Sequence, residues 1–397
     1  MQNTRVSGII RPMSEKVYIT GCASYGEADV TAALERSFAQ FGGIEAFVRR
    51  GARVLIKPNL LAAHVPSAAV TTHPAVVKAL ATMLRAAGAE IAVGDSPPVR
   101  SLASVAEKTG MKAALAVTGA RLCGFTESKR VRGRQFKNLE IAAALDGFDV
   151  VINVAKLKTH EQMRLTLAVK NMFGCVVGKE KPAWHLRAGV NRHMFAKMLV
   201  DIYLAAKPSF NIVEGVLAME GDGPGARGRP RELGLLAAGV DAFALDRALC
   251  RKLGVDERTF YQVQAAREMG VDRRDLADIE VVDDSGVTVE GFALPTDTGA
   301  EFALPPLVAK LLKRWLTARP AVDRAKCVVC GVCAGHCPVE AITEGTEAVV
   351  IDDRRCIRCY CCMELCPEAA IRVRRPLLVR VFSLMRKLWR KVRRAPS

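Results

Sequence analysis

From Val17 to about Gly291, short runs of β-branched and aliphatic residues alternate with longer stretches whose apolar positions recur every three or four residues. The first pattern suits strands buried on both faces, the second suits amphipathic helices, and their succession is the signature of an α/β layer structure. Strands are expected at Val17–Thr20, Arg53–Ile56, Glu90–Val93, Val150–Val154, Phe210–Val213, Gly234–Ala238 and Ile279–Val282. Helices are expected over Ala28–Phe41, Pro74–Ala87, Leu102–Lys108, Arg192–Ala206, Ala242–Leu253 and Arg258–Met269. Gly42, Gly88, Gly254 and Gly270 follow four of them as stop signals. The expected fold is a largely parallel sheet with helices on both faces.

Beyond residue 300 the pattern changes. Pro305-Pro306 precedes a stretch in which Leu307, Leu311 and Trp315 share one helical face and Lys310, Lys313 and Arg314 another. This reads as a connecting helix within 301–325 ending near Pro320, or equally as a last helix packed on the first domain. Residues 376–397 place Leu377, Val381, Phe382, Met385, Leu388, Trp389 and Val392 at helical spacing among arginines and lysines. Such a basic amphipathic tail suits an anionic membrane surface, although the same stripe would pack on the first domain or on a partner. Residues 1–13 read as an N-terminal extension, 14–300 as the α/β domain and 326–375 as a small cysteine-rich domain.

A length of 397 residues agrees with more than one core. With 50% hydrophobic and 25% charged residues the chain is an ordinary globular one. The mean hydropathy is positive, +0.14, yet no uninterrupted apolar run approaches the roughly 20 residues of a spanning helix. The N-terminus has no apolar segment followed by a small-residue cleavage site, so a cytoplasmic location is expected, with the inner membrane face within reach of the tail. Of the net charge of +17, ten basic residues fall between Ile371 and Ser397, where no Asp or Glu occurs. Nucleic acid is not an expected partner, because stacking aromatics and a binding fold are lacking.

Nine of the thirteen cysteines lie between Cys327 and Cys366. Cys327, Cys330, Cys333 and Cys337 precede Pro338, and Cys356, Cys359, Cys362 and Cys366 precede Pro367, each set a C-x2-C-x2-C-x3-C-P run. At this spacing three thiolates on a tight loop cap three irons, and the fourth reaches the other cluster. Two 4Fe-4S clusters are therefore expected, one on Cys327, Cys330, Cys333 and Cys366, the other on Cys356, Cys359, Cys362 and Cys337. Zinc uses C-x2-C pairs too, but a four-ligand site does not call for two such runs. Cys361 falls outside the pattern and reads as a bystander; Cys22, Cys123, Cys175 and Cys250 read as buried thiols. Over roughly 50 residues this segment resembles the bacterial two-cluster ferredoxins, a small α+β fold. All eight thiolates are then used, and the expected work is electron transfer.

In the first domain, polar residues gather where strands end: Lys57-Pro-Asn59, Thr71-Thr-His73, Asp95-Ser96, and Asn153 through Lys156, Lys158 and His160. The carboxyl ends of strands are where open α/β sheets bind ligands. Lys156, Lys158, His160, Lys170 and Asn171 are the candidate site, suited to a small anion held by charge-assisted hydrogen bonds, although each lysine taken alone fits a solvated surface. Asp95, Glu214, Glu220, Asp222, Asp241 and Asp246 are candidate metal ligands or general acids, with Asp241 and Asp246 equally suited to capping or pairing. The Gly221–Gly228 loop lacks the lysine-plus-hydroxyl ending of a phosphate loop, and no flavin or nicotinamide fingerprint is present.

These segments, with Leu167-Ala-Val-Lys170-Asn171-Met-Phe-Gly174 and Glu214-Gly-Val-Leu-Ala-Met-Glu220-Gly-Asp222-Gly-Pro224, resemble the family known as domain of unknown function 362 over nearly all of residues 15–290. The resemblance implies an iron-sulfur protein or oxidoreductase of a kind often fused to ferredoxin modules, and it fixes no reaction. The expected function is a ferredoxin-fused oxidoreductase that takes electrons from a redox partner protein and delivers them to an anionic substrate or cofactor in the α/β domain. The alternative is a non-catalytic electron carrier or assembly factor, docked on a membrane-surface redox complex.

Overall fold

A computed structural model of the chain describes residues 16–188, 191–295 and 318–374, apart from the side chains at 179, 182 and 185–187. The expected extension 1–13, most of the connecting helix and the basic tail 376–397 lie outside the described residues.

The main sheet uses β1 (Lys16–Gly21), β2 (Arg53–Pro58), β3 (Glu90–Asp95) and β4 (Arg121–Gly124). A side hairpin, β5 (Ser128–Val131) and β6 (Leu139–Ala142), leads to β7 (Val150–His160) and its short antiparallel partner β8 (Arg164–Leu165). The sheet is completed by β9 (Phe210–Gly221), β10 (Gly228–Gly239) and β11 (Glu280–Asp283). Across the sheet the order is β11-β1-β10-β9-β7-β2-β3-β4. The run from β9 to β4 is parallel, as is β11 on β1, while β10 is antiparallel to both its neighbours. The sheet is thus largely parallel, as the alternation of elements implies. All seven expected strands are present, whereas β4 and β5, half-exposed and carrying few apolar residues, and the short β6 offer no buried apolar run to reveal them.

Strand alternation sends neighbouring residues to opposite faces. Val54, Ile56, Val93, Ile152 and Val154 pack under α1 (Glu27–Ala39), α2 (Pro74–Ala86), α3 (Leu102–Lys108) and α4 (Met111–Ala116). Val17, Ile19, Leu55, Val151, Val213 and Leu235 pack on the other face. That face is covered by α5 (Leu167–Asn171), α6 (Lys181–Ala188), α7 (Arg192–Ala206), α8 (Ala242–Lys252) and α9 (Tyr261–Glu268). Burial on both faces is why the central strands read as unbroken apolar runs. Gly88 (φ 82°) and Gly254 (φ 68°) end α2 and α8 in the left-handed region that only glycine enters freely.

The second unit is built from β12 (Arg319–Val322), β13 (Ile342–Thr343), β14 (Val350–Ile351) and β15 (Ile371–Arg374), with short helices at Val332–Gly335 and Cys361–Leu365. Here the expected boundaries change. Residues 319–322 are not the end of a connecting helix but a strand paired antiparallel with β15. Pro320, unable to donate within a helix, sits in a ribbon that is two-stranded among the described residues, and the small domain begins there rather than at 326. Among the described residues no helix is long and apolar enough to cross a membrane.

Candidate functional site

The small unit is built twice over. Val329 and Arg358, Gly331 and Tyr360, and Glu340 and Ala369 occupy matching places after Cys327 and Cys356, and all six have positive φ. Backbone N–H groups of Ala341 and Ala370 donate to Cys337 Sγ and Cys366 Sγ, both at 3.2 Å, and Arg358 N donates to Cys356 Sγ at 3.4 Å. Left-handed turns let the loops wrap their cysteines while keeping amides pointed at sulfur.

Cys337, Cys356, Cys359 and Cys362 line one enclosed cavity of about 20 Å³ together with apolar residues such as Ile342, Ile351 and Pro338. Cys337 is an electrostatic neighbour of Cys356, and Cys366 of Cys333. The fourth cysteine of each run therefore lies beside cysteines of the other run. Among the described residues no three His, Cys, Asp or Glu side chains meet closely enough to share a single ion. Zinc requires sulfurs at about 2.3 Å from one point. Sulfurs that ring a dry space and accept backbone N–H groups instead fit a cubane, which separates its ligands by its own width. As free thiols several of them resist ionisation: burial and the neighbouring Cys366 push Cys333 up to about 11, and burial raises Cys362 well above the ordinary range, whereas the Cys361 thiol beside it lowers Cys359. Four thiolates in so small a space need bound positive charge, so loading this site releases protons.

The second constellation is the carboxyl edge of the main sheet, where β7, β9 and β10 run on past their neighbours. The expected site residues divide there. Lys156 is fully buried and donates to Glu214 Oε1 at 2.7 Å and to Tyr25 Oη at 3.1 Å. Glu214, equally buried, also accepts from Tyr25 Oη at 2.8 Å and from His73 N at 2.9 Å. Lys158 is buried against neutral acceptors, Asn59 Oδ1 at 2.8 Å and the Val70 carbonyl at 2.6 Å. Desolvation holds its ammonium well below the usual lysine range. His160 is buried and pushed down to about 4 by burial; its Nδ1 accepts from Gln162 N, and its Nε2 lies 3.0 Å from Glu364 Oε1. These three groups are spent on partners inside the protein.

Lys170 and Asn171, by contrast, line a cavity of about 80 Å³ between the two units. The main sheet contributes Asn59, Leu60 and Leu61 from the end of β2, Asp95, Ser96 and Pro98 from the end of β3, and Phe173 and Gly174 after α5. Lys181 enters from the first turn of α6, and His336, Cys361, Glu364 and Leu365 close the cavity from the small unit. Lys170 Nζ makes no hydrogen bond or ion pair with the described residues and lies over the Phe173 ring at 5.9 Å. Burial lowers Lys170, and burial brings Lys181 down to about 8. Asn171 is fixed by a line of carboxamides: Asn59 Nδ2 donates to it at 3.0 Å, it donates to Asn153 Oδ1 at 2.8 Å, and Asn153 donates to Asn211 at 2.9 Å. Gly174 is a glycine because any Cβ would strike Asp95 and Lys57, a buried pair 3.1 Å apart.

Lys181 is not singled out by the sequence, which marks Cys361 only as a bystander. Pro182 directly after Lys181 is a helix-start signal that could have drawn attention to that lysine. The Gly221–Gly228 loop packs against both units. A Cβ at Gly223 would fall 2.6 Å from the Thr159 carbonyl, and one at Gly225 2.9 Å from the Glu364 carbonyl, so the glycines let the loop press between the two units. His336 Nε2 reaches the Pro98 carbonyl at 3.1 Å across the same seam. The acidic candidates are also internal partners: Asp241 caps α8 through Phe243 N, Asp246 accepts from Ala168 N and Val169 N, and Glu220 pairs with Arg229 and Arg231.

A family model described as domain of unknown function (DUF362) matches residues 54–251, and a model of a 4Fe-4S dicluster domain matches residues 319–367. A thylakoid-associated protein of Synechocystis sp. is 38% identical over 257 residues, covering 64% of this chain and 79% of that protein. A ferredoxin of Clostridium butyricum is 65% identical over 26 residues, 6% of this chain and 47% of the ferredoxin. Among solved structures, the lactate racemase apoprotein from Thermoanaerobacterium thermosaccharolyticum aligns with 60% of this chain and 57% of its own, at a TM-score of 0.38 and 11% identity.

Proposed function

The chain belongs to the DUF362 family and carries an iron-sulfur electron-transfer module behind that domain, and from this premise we propose that it is an oxidoreductase whose acceptor is a small anion held between the two units. In this reading Cys327, Cys330, Cys333 and Cys366 hold one 4Fe-4S cluster, and Cys337, Cys356, Cys359 and Cys362 hold the other. When bound, the clusters supply reversible one-electron transfer, fed by a redox partner protein.

One observation carries the proposal: the cavity that Lys170 and Lys181 line is walled by residues adjoining the cluster cysteines. Cys361 and Leu365 neighbour Cys362 and Cys366 in sequence, and His336 neighbours Cys337. Lys170, which faces the Phe173 ring and the Glu364 carboxylate, and Lys181, which donates to the Ser96 carbonyl, supply the positive charge for a carboxylate or phosphate. Phe173, Leu60 and Leu365 supply apolar contact for its body. Lys158 and Asn171 act indirectly, by fixing Asn59 at the rim. Each electron delivered adds negative charge to the bound ligand, and Lys181, poised near 8, is the group that hands over a proton at neutral pH.

Benzoate, a planar carboxylate, serves as a probe. Isothermal titration of the reconstituted chain should show binding that Lys170→Ala and Lys181→Ala each weaken about tenfold, the worth of one charge-assisted hydrogen bond. Because the Lys181 ammonium is lost as pH rises through about 8, binding is full below that pH and declines above it. Affinity indifferent to both lysines would end the anion reading.

The thylakoid association in the name of the Synechocystis relative favours a second reading, a redox subunit docked on a membrane surface. The chain should then float with vesicles rich in anionic lipid, and truncation after residue 375 should abolish flotation. Equal flotation of both forms would remove this reading.

A further inference from the structure

We propose that Cys361, which has no place in either ligand set, is a positioning residue that joins the second cluster's site to the interdomain pocket. The inference rests on the pocket reading above. Among the described residues Cys361 borders both cavities: the one ringed by Cys337, Cys356, Cys359 and Cys362, and the one holding Lys170 and Lys181. It is the only residue the two share. Its thiol lies beside Cys359, placed to donate a hydrogen bond to that sulfur, and Lys170, which also faces the Glu364 carboxylate, is an electrostatic neighbour. Its backbone is held from the preceding residue. Tyr360 sits at a left-handed φ of 59°, with its ring buried and its hydroxyl donating to the Ala318 carbonyl at 2.7 Å.

A hydrogen bond donated to a ligand sulfur draws electron density from it and stabilises the reduced, more negative cluster, which raises the reduction potential. Positive charge on Lys170, one side chain away, acts in the same direction. An anion seated between Lys170 and Lys181 cancels that charge, so a filled pocket lowers the potential and makes the cluster a stronger reductant. By linkage, reduction loosens the anion by the same factor. The pocket thus signals its own occupancy to the electron donor, through Cys361.

The experiment uses the full chain, reconstituted anaerobically, with each cluster followed by EPR-monitored redox titration with and without benzoate. C361A should keep its full iron and sulfide, while one of the two clusters shifts about tenfold toward the oxidised form, about 59 mV for a one-electron couple. C361S, which keeps a donor, should shift much less. Benzoate should lower the same cluster's potential in the wild type and lose most of that effect in C361A. An unchanged potential in C361A overturns the proposal, and so does loss of one cluster's iron, which would make Cys361 a ligand. Benzoate that binds the wild type without moving either potential also overturns it. Benzoate that does not bind at all removes the pocket reading instead, and the potential of C361A by itself then still decides whether Cys361 tunes the cluster.

Discussion

The C337A variant, reconstituted anaerobically, should bind about four irons where the wild type binds about eight, and the cluster it loses should be the one belonging to the other cysteine run. Cys337 follows Cys327, Cys330 and Cys333 in sequence, yet it lines the cavity of Cys356, Cys359 and Cys362. Between Cys333 and Cys337 the chain makes the short helix Val332–Gly335, which carries the fourth cysteine away from the loop that holds the first three. Double variants make the test decisive. C337A/C356A should lose no more iron than C337A, because both residues serve one site. C337A/C327A should lose nearly all of it, because two sites are struck. The reverse pattern, with C337A/C327A no worse than C337A, would mean that each run fills its own cluster.

Glu214→Ala should destabilise the α/β domain by about 3–5 kcal/mol, as expected when one partner of a buried ion pair is removed. The carboxylate is fully buried and takes three hydrogen bonds, from Lys156, Tyr25 and the backbone of His73. Without it, the Lys156 ammonium keeps its desolvation cost and loses its counter-charge. Adding Lys156→Met should recover much of the loss, because an apolar pair needs no compensation. The pH dependence follows from the sign of the shift. Burial already lowers Lys156 below its ordinary 10.5, so the folded chain binds fewer protons than the unfolded one in the interval just below that value. Stability therefore rises with pH across that interval, and in E214A, where the depression is deeper, it should rise more steeply. Urea denaturation at several pH values measures both effects, and a deficit that did not narrow toward pH 10 would show that Lys156 is not its source.

Both predictions begin from residues whose type and spacing are plain in the sequence, but the sequence reveals them unequally. Cysteine spacing is a covalent constraint on how a short loop can wrap a cluster, so the two runs, their crossing and the electron-transfer class are readable from residues a few places apart. Strands and helices are likewise local: an apolar run or a three-to-four periodicity records which face is buried, whatever covers it. On that basis the seven expected strands and the six expected helices lie within a few residues of the observed ones. The elements β4, β5, β6, α4, α5 and α6 do not register, because each carries too few apolar positions in too short a stretch to show a period.

What tertiary structure alone decides is the partner of each polar group. Lys156, Lys158 and Lys170 look alike along the chain, but Glu214 and Val70 absorb the first two and only the third faces the cavity. Lys181 joins Lys170 because α6 is brought over the ends of β2 and β3. Cys361 comes to border the pocket because the small unit docks with that helix against the sheet edge, and Gly225 is explained by the same docking. Periodicity and spacing are properties of neighbouring residues, whereas the fate of a buried charge is set by groups a hundred or more positions away, which meet it only when the chain is packed.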